Sequence, residues 1–120
     1  MIRRFRDTQY YAHSSGVIYR LYSGEFRPLV ASWLPNGYET VSISHNGKVT
    51  NMYVHRIVAE AFHANPQNKA QVNHKNCIKI DNHKDNLEWV TPRENIDHAV
   101  ANGRYANNGR KKGTKNKVIT

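Results

Sequence analysis

Asn73-His74, then Asn86, then Asn95 and His98 are the residues of this chain whose types and spacing could do chemistry. The chemistry they suit is hydrolysis of a phosphate ester. That reaction needs a water stripped of its proton, a cation to stabilise developing charge, and help for the leaving oxygen. Histidine suits the base because its pKa lies near neutrality. A hard cation such as Mg²⁺ takes oxygen ligands and keeps several waters, so two side-chain oxygens can suffice. Asn73 and Asn95 offer amide oxygens. His74 must then stay off the metal with its ring held by a partner, for which a backbone carbonyl near the following loop is suited. His98 lies one turn past Asn95 on the same helix face. It is a further active-site candidate, as a third ligand, a phosphate contact or a polar neighbour. The single cysteine, Cys77, excludes a Cys-rich zinc centre and a disulfide within one chain, and a cytosolic setting fits.

These residues need a strand, a loop, a second strand and a helix to bring them together. Gln71–His74 reads as the first strand and Leu87–Val90 as the second. Thr91-Pro92-Arg93-Glu94 is a helix start: Thr91 caps, Pro92 suits the first helical position, and Glu94 completes a capping box. The helix should run to about Asn102, where Gly103 can end it. With the strands paired and the helix packed over them, Asn73 and His74 can face Asn95. Asn86, just before the second strand, is placed to hold the loop by hydrogen bonds. Trp89 and Leu87 read as core.

Upstream, Asn46-Gly47 is a strong hairpin signal. Pairing across it sets Ile43 beside Thr50, Val41 beside Met52 and Glu39 beside Val54, with Val41, Ile43, Met52 and Val54 on one face. Gly16–Tyr22 and Phe26–Trp33 read as further strands, broken at Ser23-Gly24 and Pro35-Asn36-Gly37. After Val54 the period changes: Ile57, Val58, Ala61 and Phe62 share one face of a helix that should end near Asn65-Pro66. The expected architecture is α+β. A basic segment over 1–15 precedes antiparallel hairpins and a connecting helix over 16–66. A strand–strand–helix element follows over 67–102, and a flexible basic tail over 103–120.

Charge narrows the partner. The chain of 120 residues carries 18 Lys and Arg against 9 Asp and Glu, a formal net charge of +9, which points to a polyanion and first to nucleic acid. Arg104, Arg110, Lys111, Lys112, Lys115 and Lys117 crowd the tail without an acid among them, so the tail is expected to lie along DNA phosphates. Arg56 is a further candidate phosphate contact. No stretch approaches the roughly 20 apolar residues of a membrane span, and no apolar run follows the basic N-terminus, so neither a membrane protein nor a secretory signal is expected.

The runs Val54-His55-Arg56-Ile57-Val58-Ala59-Glu60-Ala61-Phe62, Asn65-Pro66, Val72-Asn73-His74, Asp85-Asn86-Leu87-Glu88-Trp89-Val90-Thr91, Glu94-Asn95-Ile96 and His98-Ala99 together resemble the HNH endonucleases of phages and mobile introns. The resemblance implies a ββα-metal active site that binds one divalent cation, Mg²⁺ or Mn²⁺, and cuts double-stranded DNA. It implies His74 as general base, Asn73 and Asn95 as metal ligands, and Asn86 as the asparagine that ties the loop to the strand. It also implies a phage or mobile-element origin, hence the host cytoplasm, and a β-region that lies against DNA. One active site implies a nick by a monomer, and a double-strand break would need a dimer. The chain departs from the pattern at Asn73, where many relatives carry aspartate, and at Lys75-Asn76-Cys77, where many continue Ile-Asp-Gly. Neither ligand position therefore holds a carboxylate, and Asp81 or Asp85 could supply one from nearby. Two other readings fit the residues: a basic DNA-binding module without catalysis, and an RNA-binding basic protein, which leaves the Asn73-His74…Asn95 spacing unexplained.

Overall fold

Asn46 and Gly47 both adopt positive φ, 52° and 75°, and turn the chain back on itself. The resulting hairpin pairs β6 (Glu39–His45) with β7 (Lys48–Tyr53), with Ile43 opposite Thr50 and Val41 opposite Met52. The expected pairing of Glu39 with Val54 does not form, because β7 stops at Tyr53 and Val54 begins the helix α1 (Val54–Phe62). Val41, Ile43 and Val54 are buried on one side while Ser42 and Ser44 face solvent, as the alternation of a half-buried strand requires. The computed structural model of the protein describes residues 1–101.

Two further sheets flank this hairpin. Residues 1–15, expected as a basic segment ahead of the strands, instead supply β1 (Ile2–Arg4) and β2 (Tyr10–His13). These pair in order with β3 (Ile18–Tyr22) and β4 (Glu25–Pro28) in one antiparallel sheet. The reason lies in the anchors: Phe5, Tyr10 and Ala12 are each at most 2% exposed and belong to the core. The expected strand Phe26–Trp33 is two strands in different sheets, since β5 (Ser32–Trp33) pairs with β6 instead. The third sheet pairs β8 (Gln71–His74) with β9 (Leu87–Val90), placing Asn73 opposite Glu88 and His74 opposite Leu87.

The central helix α1 joins the three sheets. It packs on β1 and β2, on β6 and β7, and on β8 and β9. Ile57, Val58 and Ala59 have no measurable exposure, and they meet Ile18, Val41, Val72 and Leu87 in one continuous core. The helix ends at Phe62, before Asn65-Pro66, as expected. The last element, α2 (Pro92–Ala101), lies across β8 and β9. Its capping box is fully made: Thr91 Oγ1 accepts from Glu94 N at 3.1 Å and Glu94 Oε1 accepts from Thr91 N at 2.8 Å. The architecture is α+β with a C-terminal strand–strand–helix element.

Candidate active site

The last two residues of β8 and the first turn of α2 line one small pocket. Its walls are Tyr38, Val72, Asn73, His74, Cys77, Lys79 and Asn95. His74 is 4% exposed, so its ring is fixed by its surroundings. Nε2 lies 2.8 Å from Oδ1 of Asn82, and Asn82 Nδ2 donates to Glu39 Oε1 at 3.0 Å. The ring's partner is thus a buried side-chain amide, where a backbone carbonyl was expected. Two more aromatic rings pack on the imidazole, His55 at 5.0 Å and Tyr38 at 5.8 Å between centroids, and Tyr53 packs against both of those. His55 is itself buried, which pushes its pKa down to about 3, with repulsion from His74 and Arg56 adding to the effect. It packs against His74 as a neutral ring.

The two asparagines present their oxygens in matching fashion. Asn73 Nδ2 donates to Glu88 Oε2 at 2.9 Å across the β8–β9 pair. Asn95 Nδ2 donates to Gln71 Oε1 at 3.0 Å. In each case the nitrogen is drawn away to a neighbour, and the amide oxygen is the end left for a cation. A hard divalent cation prefers such oxygens, so the donor set fits one. The carboxylates that were expected nearby are used elsewhere. Asp81 accepts from Asn76 at 2.7 Å, and Asp85 from Lys84 at 2.8 Å, which holds the Asp85 carboxyl below its usual range. Among the described residues, negative charge reaches the pocket only indirectly, through Glu88 behind Asn73 and Glu39 behind Asn82. Among the described residues, no cluster of His, Cys, Asp and Glu could hold a metal by itself.

This layout has relatives. Residues 52–96 match the model of the HNH endonuclease family. A solved structure, described as DNA binding and cleavage by the HNH homing endonuclease I-HmuI, superposes with a TM-score of 0.76 at 26% identity, over 86% of this chain and 59% of that one. Residues 52–96 thus match an HNH endonuclease domain. By sequence it is 30% identical to DNA endonuclease I-HmuI of Bacillus phage SP01 over 97 residues, 81% of this chain and 55% of that protein. It is 42% identical to an uncharacterized HNH endonuclease of Acanthamoeba polyphaga mimivirus over 67 residues, 56% of this chain and 20% of that protein. The chain thus spans well under two thirds of the length of these curated relatives.

Three of the other expected residues lie among the described ones. Asn86 staples the loop after the base: its Oδ1 accepts from Asn76 N at 3.0 Å, and its Nδ2 donates to Asn76 Oδ1 at 2.9 Å and Asp81 O at 2.8 Å. His98 does not line the pocket; its Nε2 donates to the carbonyl of Lys75 at 3.1 Å and so clamps α2 to the residue following the base. Arg56 donates to the Ala70 carbonyl at 3.0 Å, stacks over Trp89, and lines a different pocket from His74. The tail residues Arg104, Arg110, Lys111, Lys112, Lys115 and Lys117 lie outside the described residues. Sequence reasoning missed Tyr38, Glu39, Lys79 and Asn82 as parts of the site, and with them the contact of His55 with the base. Nothing local in the sequence marks these residues, because their roles come from contacts far apart along the chain.

Proposed function

We propose that the protein is a divalent-cation-dependent endonuclease that hydrolyses one phosphodiester bond of double-stranded DNA, leaving a nick when it acts as a monomer. The observation that carries this reading is the convergence of Asn73, His74 and Asn95 on one pocket, with both amide nitrogens hydrogen-bonded away from the oxygens. A bound Mg²⁺ or Mn²⁺, held by Asn73 Oδ1 and Asn95 Oδ1, supplies charge stabilisation at the scissile phosphate. His74 takes the proton of the attacking water, a task for which its fixed ring is prepositioned. Lys79 lines the same pocket and brings positive charge to the phosphate. Phosphate in turn supplies the anionic charge that two amide ligands lack. The tail cations extend the contact with the DNA backbone.

The test is relaxation of supercoiled plasmid in Mg²⁺ or Mn²⁺. The wild-type protein should convert it to open circles, and His74→Ala should abolish the conversion. A second reading, a DNA-binding module without catalysis, is favoured by the lack of a carboxylate on the pocket wall. A salt-sensitive gel shift with no relaxation by the wild-type protein selects that second reading and rejects the first.

A further inference from the structure

We propose that Glu39 and Asn82 form a positioning relay that holds the base His74 in a single tautomer, protonated at Nε2. This rests on the reading of His74 as general base and adds two positioning residues to it. Which atoms can donate decides the tautomer. An ionised carboxylate accepts hydrogen bonds and donates none. Glu39 Oε1 lies 3.0 Å from one terminal atom of Asn82, so that atom is the amide nitrogen. The other terminal atom is then the amide oxygen, and it lies 2.8 Å from His74 Nε2. A carbonyl oxygen cannot donate, so Nε2 carries the proton. In the neutral ring the lone pair is therefore on Nδ1, and Nδ1 is the atom that takes the proton from water. Without Glu39 the Asn82 amide could turn over, offer its nitrogen to the ring, and select the opposite tautomer.

The relay is also braced from outside the nuclease element. Asn82 is 4% exposed. The turn between β2 and β3 presses on its backbone. A Cβ built on Gly16 would come within 2.8 Å of the Asn82 carbonyl oxygen and 2.9 Å of its carbonyl carbon, and Gly16 has φ of +102°. The same turn accepts a hydrogen bond from Lys84 N at the Ser14 carbonyl, at 2.9 Å. Glu39 opens β6, Asn82 sits in the loop after β8, and Gly16 belongs to the N-terminal sheet. The tautomer of one histidine thus depends on three separate parts of the fold.

The bland alternative is that Asn82 merely fills a buried hole, which Leu would fill as well. Two readouts separate the cases in the full chain. The first is the two-bond proton–nitrogen spectrum of ¹⁵N-histidine-labelled protein at about pH 8, which distinguishes the two neutral tautomers from the doubly protonated ring. Wild type should show His74, assigned by its loss in His74→Gln, protonated at Nε2. Asn82→Leu and Glu39→Gln should each mix the two tautomers. The second is nicking: Asn82→Leu should lower kcat by ~10- to 100-fold, the usual cost of losing such a supporting partner, while KM for DNA changes by less than about twofold. The double variant Asn82→Asp with Glu39→Gln reverses the two groups but keeps the bonding order, and should recover the wild-type tautomer and most of the turnover. A wild-type His74 protonated at Nδ1, or an Asn82→Leu variant with unchanged turnover, overturns the relay. If the wild-type protein does not nick, the proposed activity falls, and the tautomer measurement still decides the relay.

Discussion

Asn73 occupies the position where charge matters most to the proposed chemistry. Its nitrogen is bound to Glu88, so the carboxylate polarises the amide and enriches the oxygen that faces the pocket. Replacing it with aspartate adds a full charge to the ligand but sets that charge against Glu88 at the 2.9 Å now spanned by a hydrogen bond. Two carboxylates that close share a proton, which cancels most of the gain. Asn73→Asp combined with Glu88→Gln restores a donor opposite the new carboxylate. The double variant should therefore reach half-maximal nicking at ~10-fold lower Mg²⁺ than wild type, because ligand charge tunes hard-cation affinity, and the single variant should gain less. A metal titration in which all three proteins coincide would remove Asn73 from the ligand set. At this scale the sequence was informative where type and spacing act together. His74, Asn73 and Asn95 reach one pocket, and Asn86 staples the loop, because they sit at fixed offsets on two strands and a helix. Glu39 and Asn82 were illegible, being 43 residues apart and joined only when the hairpin meets the loop.

Turns show how the elements carry the site. Gly47 and Gly16 both have positive φ, +75° and +102°, so an alanine is strained at either. They differ in surroundings. A Cβ at Gly47 meets nothing within 4 Å, whereas at Gly16 it strikes the backbone of Asn82 at 2.8 Å. Gly47→Ala should therefore cost only the left-handed conformational penalty, about 1 kcal/mol. Gly16→Ala should cost about 3 kcal/mol, since overpacking adds to strain. It should also slow nicking, whereas Gly47→Ala should not. Urea denaturation with a plasmid assay on the folded protein checks both, and equal effects on turnover would uncouple the β2–β3 turn from the site. The hairpin at Asn46-Gly47 was legible because its turn chemistry is local, and so was α2, whose capping box is written in four consecutive residues. β1 and β2 were not. They are three and four residues long, every residue of β1 is exposed, and their anchors Phe5 and Tyr10 stand among polar neighbours with no sustained alternation. Their place is set by the core they meet around α1.

Across the whole molecule, the three sheets share one helix and one core, so a group buried where they converge bears on the stability of all of them. His55 is such a group, set at the start of α1 against Tyr38, Tyr53 and His74. Burial pushes its pKa from 6.5 down to about 3, so the folded protein keeps it neutral while the unfolded chain protonates it normally. Below pH 6.5 the unfolded state thus binds a proton that the folded state refuses. Stability is highest above that value and falls as the pH drops toward about 3. The loss by about pH 5 is roughly 2 kcal/mol, at about 1.4 kcal/mol for each unit below the unfolded pKa. The carboxyls with depressed pKa values, Asp85 and Glu94, act in the same direction but at lower pH, because their ordinary values are 3.8 and 4.5. Between neutrality and pH 5, the displaced titration of His55 therefore acts ahead of either carboxyl. His55→Phe keeps an aromatic ring against Tyr38 and removes the titration, along with an Nδ1 that has no hydrogen-bond partner. Its unfolding free energy should stay nearly flat between about pH 7 and pH 5, while that of wild type falls. Denaturant melts of both proteins at the two pH values decide the matter, and parallel losses would mean that the acid sensitivity arises elsewhere in the fold.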